Sequence, residues 1–193
     1  MKLEKEGAGL PNMERLFIKN TIVPLVRTFF TWDMALFLLK KEVQKIEKLV
    51  SQIPKELLGK QVIINRAFAI EDHSRQYSLN MLCEHLTITG MGVSSVIKNL
   101  SKEKKPKGDI TIEQVKPKNN DDNSLEKFLN FMKMYENMIN KLEKKQSLTK
   151  EKHPWFVEFN NFDWSVFMYI HTFIHRRQAE EIIRILKKDL YVK

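Results

Sequence analysis

The residues in this sequence best suited to chemistry are two histidines four positions apart, His171 and His175. On an α-helix, side chains at i and i+4 lie one above the other, with Cβ atoms about 5–6 Å apart. Both imidazoles can therefore reach one ion, since zinc–nitrogen bonds are about 2.0–2.1 Å long. Residues that share a helical face with the pair are Trp164, Phe167, Met168, Ile174, Gln178, Ile182, Ile185 and Leu186. The pair thus lies in the face that a helix must bury.

A third histidine, His85, lies in another stretch of helical periodicity. It is central in a predicted inward stripe that contains Ser78, Met81, Leu82, Ile88, Thr89, Gly92 and Val96. Burying three imidazoles without partners is unfavourable, and a metal ion satisfies one nitrogen on each of them. The three histidines together predict a divalent metal site. For each histidine alone, a core residue satisfied by one hydrogen bond is the alternative.

The other potential ligands fit this site less well. His73 projects off the stripe of His85, and His153 lies in a loop before Pro154. For His153, capping the loop competes with a role as an extra ligand or a gate. Cys83 points to nearly the opposite side of the helix from His85. It is the only cysteine, so an internal disulfide is excluded and a cytoplasmic protein is the default expectation.

Two polar residues are candidates for catalysis. Gln178, close to one turn from His175, could hydrogen-bond a ligand or a bound water, or it could be a core-edge amide satisfied by backbone. Glu136, at the margin of an apolar helix face, is a candidate general base, although a solvated edge is common for glutamate. Thr89 and Gly92 are small and inward. They leave room either for a substrate or for close helix packing.

Four helices position these side chains, in an all-α domain predicted to span residues 1–193. The predicted ranges are Asp33–Val50 with a lead-in from Met13, Ser74–Leu100, a third helix from its N-cap Ser124 through Leu142, and a fourth from Phe162 or its cap Asp163 to Lys188. Pro24 either interrupts the lead-in or opens a helix in its first turn.

Two long connectors separate the first three helices. Gln52–Asp72 could hold a short helix or an extended piece. Ser101–Asn123 carries Pro106, Gly108 and Pro117, which end helices and favour turns. Since a connector of this length can span a bundle, it is the candidate crossover that would make consecutive helices run parallel.

The formal net charge of +9 raises the question of nucleic-acid binding. Much of the excess lies in one connector, at Lys102, Lys104, Lys105, Lys107, Lys116 and Lys118. That segment has no aromatic residue on which a base could stack, so a solvated loop is the preferred interpretation. Weak phosphate attraction stays open as the alternative. No apolar run approaches the ~20 residues of a membrane helix, and Met1–Pro11 lacks an apolar signal core.

The stretch Ser78–Leu86, in which a serine precedes Glu-His-Leu, resembles the second-helix signature of the DinB/YfiT-like superfamily. The loop His153–Phe156 followed by Trp164 and by the segment 169–178 resembles its last loop and fourth helix. The similarity is closest to an uncharacterised branch with a His-Pro-aromatic loop, and it covers roughly residues 30–190. Tyr77 replaces the usual tryptophan, and the lysine-rich connector is longer than usual.

The resemblance implies a four-helix bundle with a long crossover between its second and third helices. It also implies that His85, His171 and His175 hold zinc, nickel or a similar ion with an open coordination position. Members of the superfamily include transferases that use a low-molecular-weight thiol and proteins described as metal-dependent hydrolases. We therefore expect a thiol and a small electrophile as partners, and a homodimer. A non-catalytic, stress-associated metal-binding bundle that acts through protein partners is the alternative.

Overall fold

The structure, a computed structural model, describes residues 3–5, 7–106, 108 and 111–191. Lys107, one of the lysines discussed above, lies outside the described residues. Most of the described chain is helical with very little sheet, which confirms the all-α class.

Four long helices, α3, α5, α6 and α7, make up most of this structure, and they come from the four stretches predicted above. The elements in chain order are α1 (Asn12–Phe17), a π-helical turn (Ile18–Ile22), α2 (Val23–Phe29), α3 (Trp32–Ser51), α4 (Lys55–Leu58), a 3-10 turn (Asp72–Gln76), α5 (Leu79–Leu100), a 3-10 turn (Glu113–Val115), α6 (Ser124–Lys141), the antiparallel strands β1 (Glu151–Lys152) and β2 (Glu158–Phe159), and α7 (Asn161–Tyr191). The undecided connector after α3 therefore contains a short helix.

The N-terminal lead-in forms a helical run, Asn12–Phe29, in which Pro24 occupies the first turn of α2. This run and α3 are bent by 112° at the break between them. Among the described residues, no single helix has both the length and the apolar composition that crossing a membrane requires. The two members of this bent pair meet that test only when taken together.

The long helices pack in two parallel pairs. Trp32 at the start of α3 packs on Phe162 at the start of α7, with ring centroids 5.6 Å apart. Further along the same two helices, Arg176 Nε donates to Glu42 Oε2 at 2.7 Å, so α3 and α7 run in the same direction. Helix α5 runs antiparallel to α7, because Ser101 at its C-terminal end accepts a hydrogen bond of 3.0 Å from Asn161.

The connector between α5 and α6 returns along α5 to its N-terminal end. Ser78, just before α5, donates to Asn120 Oδ1 at 2.6 Å, and Glu84 accepts a 2.8 Å hydrogen bond from the backbone N–H of Asn119. Because α6 starts a few residues later, α5 and α6 run parallel. This is the crossover that the length of the connector predicts.

Two of the predicted helix starts are wrong. Helix α5 begins at Leu79 rather than Ser74, because Ser78 is its N-cap and accepts the Met81 N–H at 3.1 Å. Helix α6 begins at Ser124 itself, which is therefore not the cap. The Ser124 hydroxyl instead donates to the carbonyl of Asp121 at 2.7 Å.

The start of α7 uses a reciprocal cap. The Asp163 backbone N–H donates to Asn160 Oδ1 at 2.9 Å, and the Asn160 N–H donates back to Asp163 Oδ2 at 3.2 Å. Asn160 is thus the cap, and Asp163 closes the capping box from inside the helix. Asp163 also binds Arg27 of α2 at 2.7 Å, which attaches the N-terminal run to α7.

The buried face of α5 is wider than predicted, because this helix packs on both α6 and α7. Cys83, on the side away from His85, is fully buried, and burial raises the pKa of its thiol to about 12. Met81 and Ile88, which were predicted to point inward, are only half-buried.

Two glycines of α5 provide a matched stability test. A Cβ on Gly90 would overlap the Phe131 ring, lying 2.6 Å from Cζ, whereas no described atom lies within 4 Å of a Cβ on Gly92. We expect Gly90→Ala to destabilise the protein by about 1–3 kcal/mol through overpacking. Gly92→Ala should stabilise it by about 0.5–1 kcal/mol, because alanine is the better helix former. Urea unfolding measures both, and equal effects of the two substitutions would contradict this packing.

Candidate metal centre

The three predicted ligands meet between two antiparallel helices. His85 comes from α5, and His171 and His175 come from successive turns of α7. His85 Nε2 lies 3.2 Å from His171 Nε2 and 3.2 Å from His175 Nε2. One ligand atom from each residue lies within 4.8 Å of the other two, so the three histidines can hold one metal ion.

These distances fit a small divalent ion. With zinc–nitrogen bonds of about 2.0–2.1 Å, adjacent ligands of a tetrahedron are about 3.3 Å apart. The 3.2 Å separations of the Nε2 atoms are close to that edge length. The convergence predicted from helical spacing is therefore present in the fold.

Hydrogen bonds from the far side of two of the rings fix which ring nitrogen carries the proton. His85 Nδ1 lies 2.6 Å from the carbonyl oxygen of Val115 and can only donate to it. His175 Nδ1 lies 2.7 Å from Gln178 Oε1, and Gln178 Nε2 donates to the Ser74 carbonyl at 2.6 Å. Because the amide nitrogen is committed to Ser74, Nδ1 of His175 must donate to the amide oxygen. In both neutral rings the Nε2 lone pair is then free to bind an ion.

Burial keeps these rings neutral. It lowers the pKa of His85 and of His171 well below the ordinary histidine value, and neighbouring histidines lower both further. It lowers the pKa of His175 to about 4. With the protons of His85 and His175 on Nδ1, their Nε2 lone pairs 3.2 Å apart cannot hydrogen-bond one another, and a shared cation would convert this repulsion into bonds.

Gln178 is therefore a positioning residue for His175 rather than a core-edge amide alone. We expect Gln178→Leu to lower zinc affinity about 10–100-fold, the usual effect of losing a residue that hydrogen-bonds a metal-binding histidine. Competition with a chromophoric chelator measures the affinity. Gln44→Leu, an exposed site on α3, is the matched control and should leave affinity unchanged. Equal affinities of the two variants would show that the amide does not orient the ring.

A buried ion pair lies next to the histidines. Lys116 Nζ contacts Glu71 Oε2 and donates to Ser74 Oγ at 3.0 Å. Lys116 is 6% exposed and Glu71 is 4% exposed. Glu71 also accepts the backbone N–H of Gly7 at 2.7 Å. The pair joins the N-terminal segment, the crossover connector and the turn whose carbonyl holds Gln178.

The prediction that the lysine-rich connector is a solvated loop is wrong for Lys116, which is buried. Lys102, Lys104, Lys105 and Lys118 are exposed as expected. Lys116 is buried because Val115, the preceding residue, holds His85, and this places the lysine beside Glu71. No periodicity distinguishes Lys116 from its neighbours, so sequence reasoning missed both members of the pair. Its position in the long crossover was the one available signal.

The histidines line a cavity of about 450 Å³. Its walls are mainly apolar, with side chains from the N-terminal helical run, the β1–β2 loop, α5 and α7, including Ile18, Val26, Trp155, Phe156, Val93 and Ile170. The exposed residues Phe68, Arg177 and Glu180 also border it, so it opens to solvent. This volume is within the range of small-molecule sites.

The remaining candidates are not part of the three-histidine group, although His153 lines the same cavity. Glu136 Oε1 accepts a hydrogen bond from Lys40 at 2.5 Å on the surface, and it does not line the cavity, so its position offers no support for a general base. His73 lies in the 3-10 turn before α5. His153 stacks on Phe156 with ring centroids 4.5 Å apart, and its Nδ1 accepts a hydrogen bond from the backbone N–H of Trp155 at 3.2 Å. That hydrogen bond is the loop-capping role expected for His153.

His153 should make the protein sensitive to acid. Burial lowers its pKa to about 3, whereas an unfolded histidine titrates near 6.5. As pH falls below about 6.5, the unfolded state takes up a proton that the folded state excludes, so stability is lost towards pH 3. At pH 5 this loss is about 2 kcal/mol.

The substitution His153→Gln keeps an acceptor for the Trp155 N–H and does not titrate. Between pH 7.5 and pH 5, the free energy of unfolding of this variant should fall by about 2 kcal/mol less than that of the wild type. Urea unfolding at both pH values measures the difference. The three histidines of the candidate metal site are present in both proteins, so their titration cancels from this difference. Parallel losses in the two proteins would mean that residue 153 accepts a proton in the folded state.

Comparison of the chain with protein-family models, with curated proteins and with solved structures finds no match. The DinB/YfiT-like resemblance accordingly stays a prediction from short motifs. Independently of that resemblance, three imidazoles converge on one wall of an open cavity and can hold a metal ion there.

Proposed function

We propose that this protein is a metal-dependent enzyme with a DinB/YfiT-like bundle, which transfers a low-molecular-weight thiol to a small electrophile or hydrolyses its substrate. The single observation that carries the proposal is the position of three convergent Nε2 atoms on the wall of a cavity of about 450 Å³. Zinc or nickel is the proposed ion, because both accept imidazole ligands.

The ligand set favours catalysis over a structural role. Three protein ligands leave a coordination position open, whereas structural zinc sites use four. A divalent ion held by neutral ligands keeps its full charge and lowers the pKa of a thiol or water that binds in the open position. The cavity provides room for such a molecule beside the histidines.

The residues of the chain supply orientation and shelter from water. Val115 and Gln178 hold the ring protons on Nδ1 of His85 and His175, so Nε2 faces the site. In the transfer reaction, the thiol sulfur forms a bond to the electrophilic carbon, and the leaving group departs with the electron pair of the bond that breaks. The thiol proton goes to solvent. In hydrolysis, water replaces the thiol.

Topology supports the superfamily assignment within this proposal. The triad is divided between the second and fourth long helices, as the resemblance implies, and a long crossover joins the second to the third. A homodimer stays a prediction. The cavity beside the histidines counts against the alternative, a non-catalytic, stress-associated metal-binding bundle that acts through protein partners, because a flat, sealed metal site would favour that alternative.

Purified chain loaded with cobalt(II) tests the proposal, since cobalt reports thiolate coordination by a sulfur-to-metal absorption band. We expect this band on titration with a small thiol, and turnover of the zinc- or nickel-loaded chain with a panel of alkyl and aryl halides and esters. His171→Ala is the control and should show neither. Absence of both thiol binding and turnover across the panel would overturn the proposal.

A further inference from the structure

We infer, on the basis of the function proposed above, that the substrate carries an apolar chain or ring which lies between the histidines and Gly92, with its reactive polar end at the metal. The cavity has two chemically different ends. Because α5 and α7 are antiparallel, the Gly92 region of α5 lies beside the Trp164 region of α7, on one side of the histidines.

A buried ion pair and the solvent opening lie on the other side of the histidines. Lys116, Glu71 and Ser74 form a buried hydrogen-bonded cluster, and the exposed Arg177 and Glu180 border the opening. Lys116 and Glu71 neutralise one another, so this end has polar character without a net buried charge. A polar group of the substrate can therefore stay near the opening and the metal.

The Gly92 end is lined mostly by apolar and aromatic side chains. Its polar members are Thr89, His153 and Asp163, and the Asp163 carboxylate is already bound by Arg27. Val93, Phe156, Phe159, Trp164 and Phe167 line the cavity there. Burying a hydrocarbon group against such a wall is favourable, by a factor of about four in affinity for each methylene. A small polar electrophile would leave this part of the cavity without a contribution to binding.

Gly92 marks the space that the apolar group would occupy. It lines the cavity, and a Cβ at this position would meet no described atom within 4 Å. Gly92 lies two helical turns from His85, about 10 Å along the helix axis. A large side chain here would shorten the apolar end while leaving the metal ligands in place.

The test is isothermal titration of the zinc-loaded full chain with linear alkanethiols from ethanethiol to hexanethiol, under anaerobic conditions. We expect affinity to rise about fourfold per methylene, or about two hundredfold across the series. Gly92→Phe should remove the gain for the longer thiols. Met91→Phe, at a neighbouring position that is 58% exposed, is the matched control and should keep it. Should Gly92→Phe fold poorly, Gly92→Leu serves in its place.

The outcomes separate this inference from the proposed function. If ethanethiol binds as tightly as hexanethiol, or if Gly92→Phe keeps the full gain, the apolar substrate is excluded while thiol binding at the metal stands. If the gain is present but His171→Ala binds every thiol as tightly as wild type does, the apolar site stands and the metal–thiol contact is excluded. If no thiol of the series binds, this inference is overturned, whereas the proposed function falls only if the zinc- or nickel-loaded chain also shows no turnover across the panel of halides and esters.

Discussion

Replacing His171 and His175 together by alanine is expected to abolish metal binding. Elemental analysis of the wild-type chain should find about one zinc or nickel ion per chain, and the double variant should contain none. The reason is geometric, since a single remaining imidazole cannot replace three converging ligands, of which His85 Nε2 lies 3.2 Å from Nε2 of each of the other two.

The matched control for this experiment is His73→Ala. His73 lies in the 3-10 turn before α5 and is not part of the three-histidine group. The metal content of the His73→Ala variant should therefore equal that of the wild type. A second readout is thermal stability. A metal ion at a free concentration 100 times its dissociation constant stabilises the folded state by about 2.7 kcal/mol. This stabilisation should be present in wild type and His73→Ala and absent in the double variant.

Equal metal content in the wild type and the double variant would place the ion elsewhere. The absence of metal from the wild type, even after incubation with zinc or nickel, would mean that the three rings are satisfied without an ion. Either result would remove the basis of the proposed enzyme.

Breaking the buried Lys116–Glu71 pair is expected to have the largest effect on stability. Lys116→Met leaves the Glu71 carboxylate buried without its cation, and loss of one partner of a buried pair costs about 3–5 kcal/mol. Urea unfolding of the metal-free chain measures this change without contributions from metal binding. Because Lys116 also holds Ser74, the substitution should in addition weaken zinc binding through Gln178.

The exposed pair Arg184–Glu181, with a nitrogen–oxygen distance of 2.8 Å, is the control. Arg184→Met should change stability by no more than about 0.5 kcal/mol, because solvent screens exposed charges. The double substitution Glu71→Met with Lys116→Met should recover much of the loss, since no unpaired charge stays buried. A double variant as unstable as the sum of its single variants would show that the two charges do not interact.

Helical periodicity sufficed to select the three histidines of the candidate metal site. His171 and His175 lie on one buried face because residues four apart share a side of any helix, whatever surrounds it. His85 was found in the same way from its apolar neighbours. The four long helices followed from the same pattern, and the crossover followed from the length and composition of one connector.

Helix ends were predicted less well, because several residue types compete for each cap. Ser74, Ser78 and Ser124 are all suitable caps by type, and only the contacts of the folded chain decide that Ser78 serves α5 while Ser124 bonds Asp121. Asp163 is likewise inside its helix because Asn160, three residues earlier, takes the cap.

The sequence by itself determined that three imidazoles face the core from two helices, since that depends on local geometry alone. The tertiary structure decided what surrounds them. Val115, Glu71 and Lys116 come from irregular segments that have no period, and they meet the histidines only because the crossover folds back along α5. The cavity is likewise a product of packing, because its walls are contributed by segments far apart in the chain.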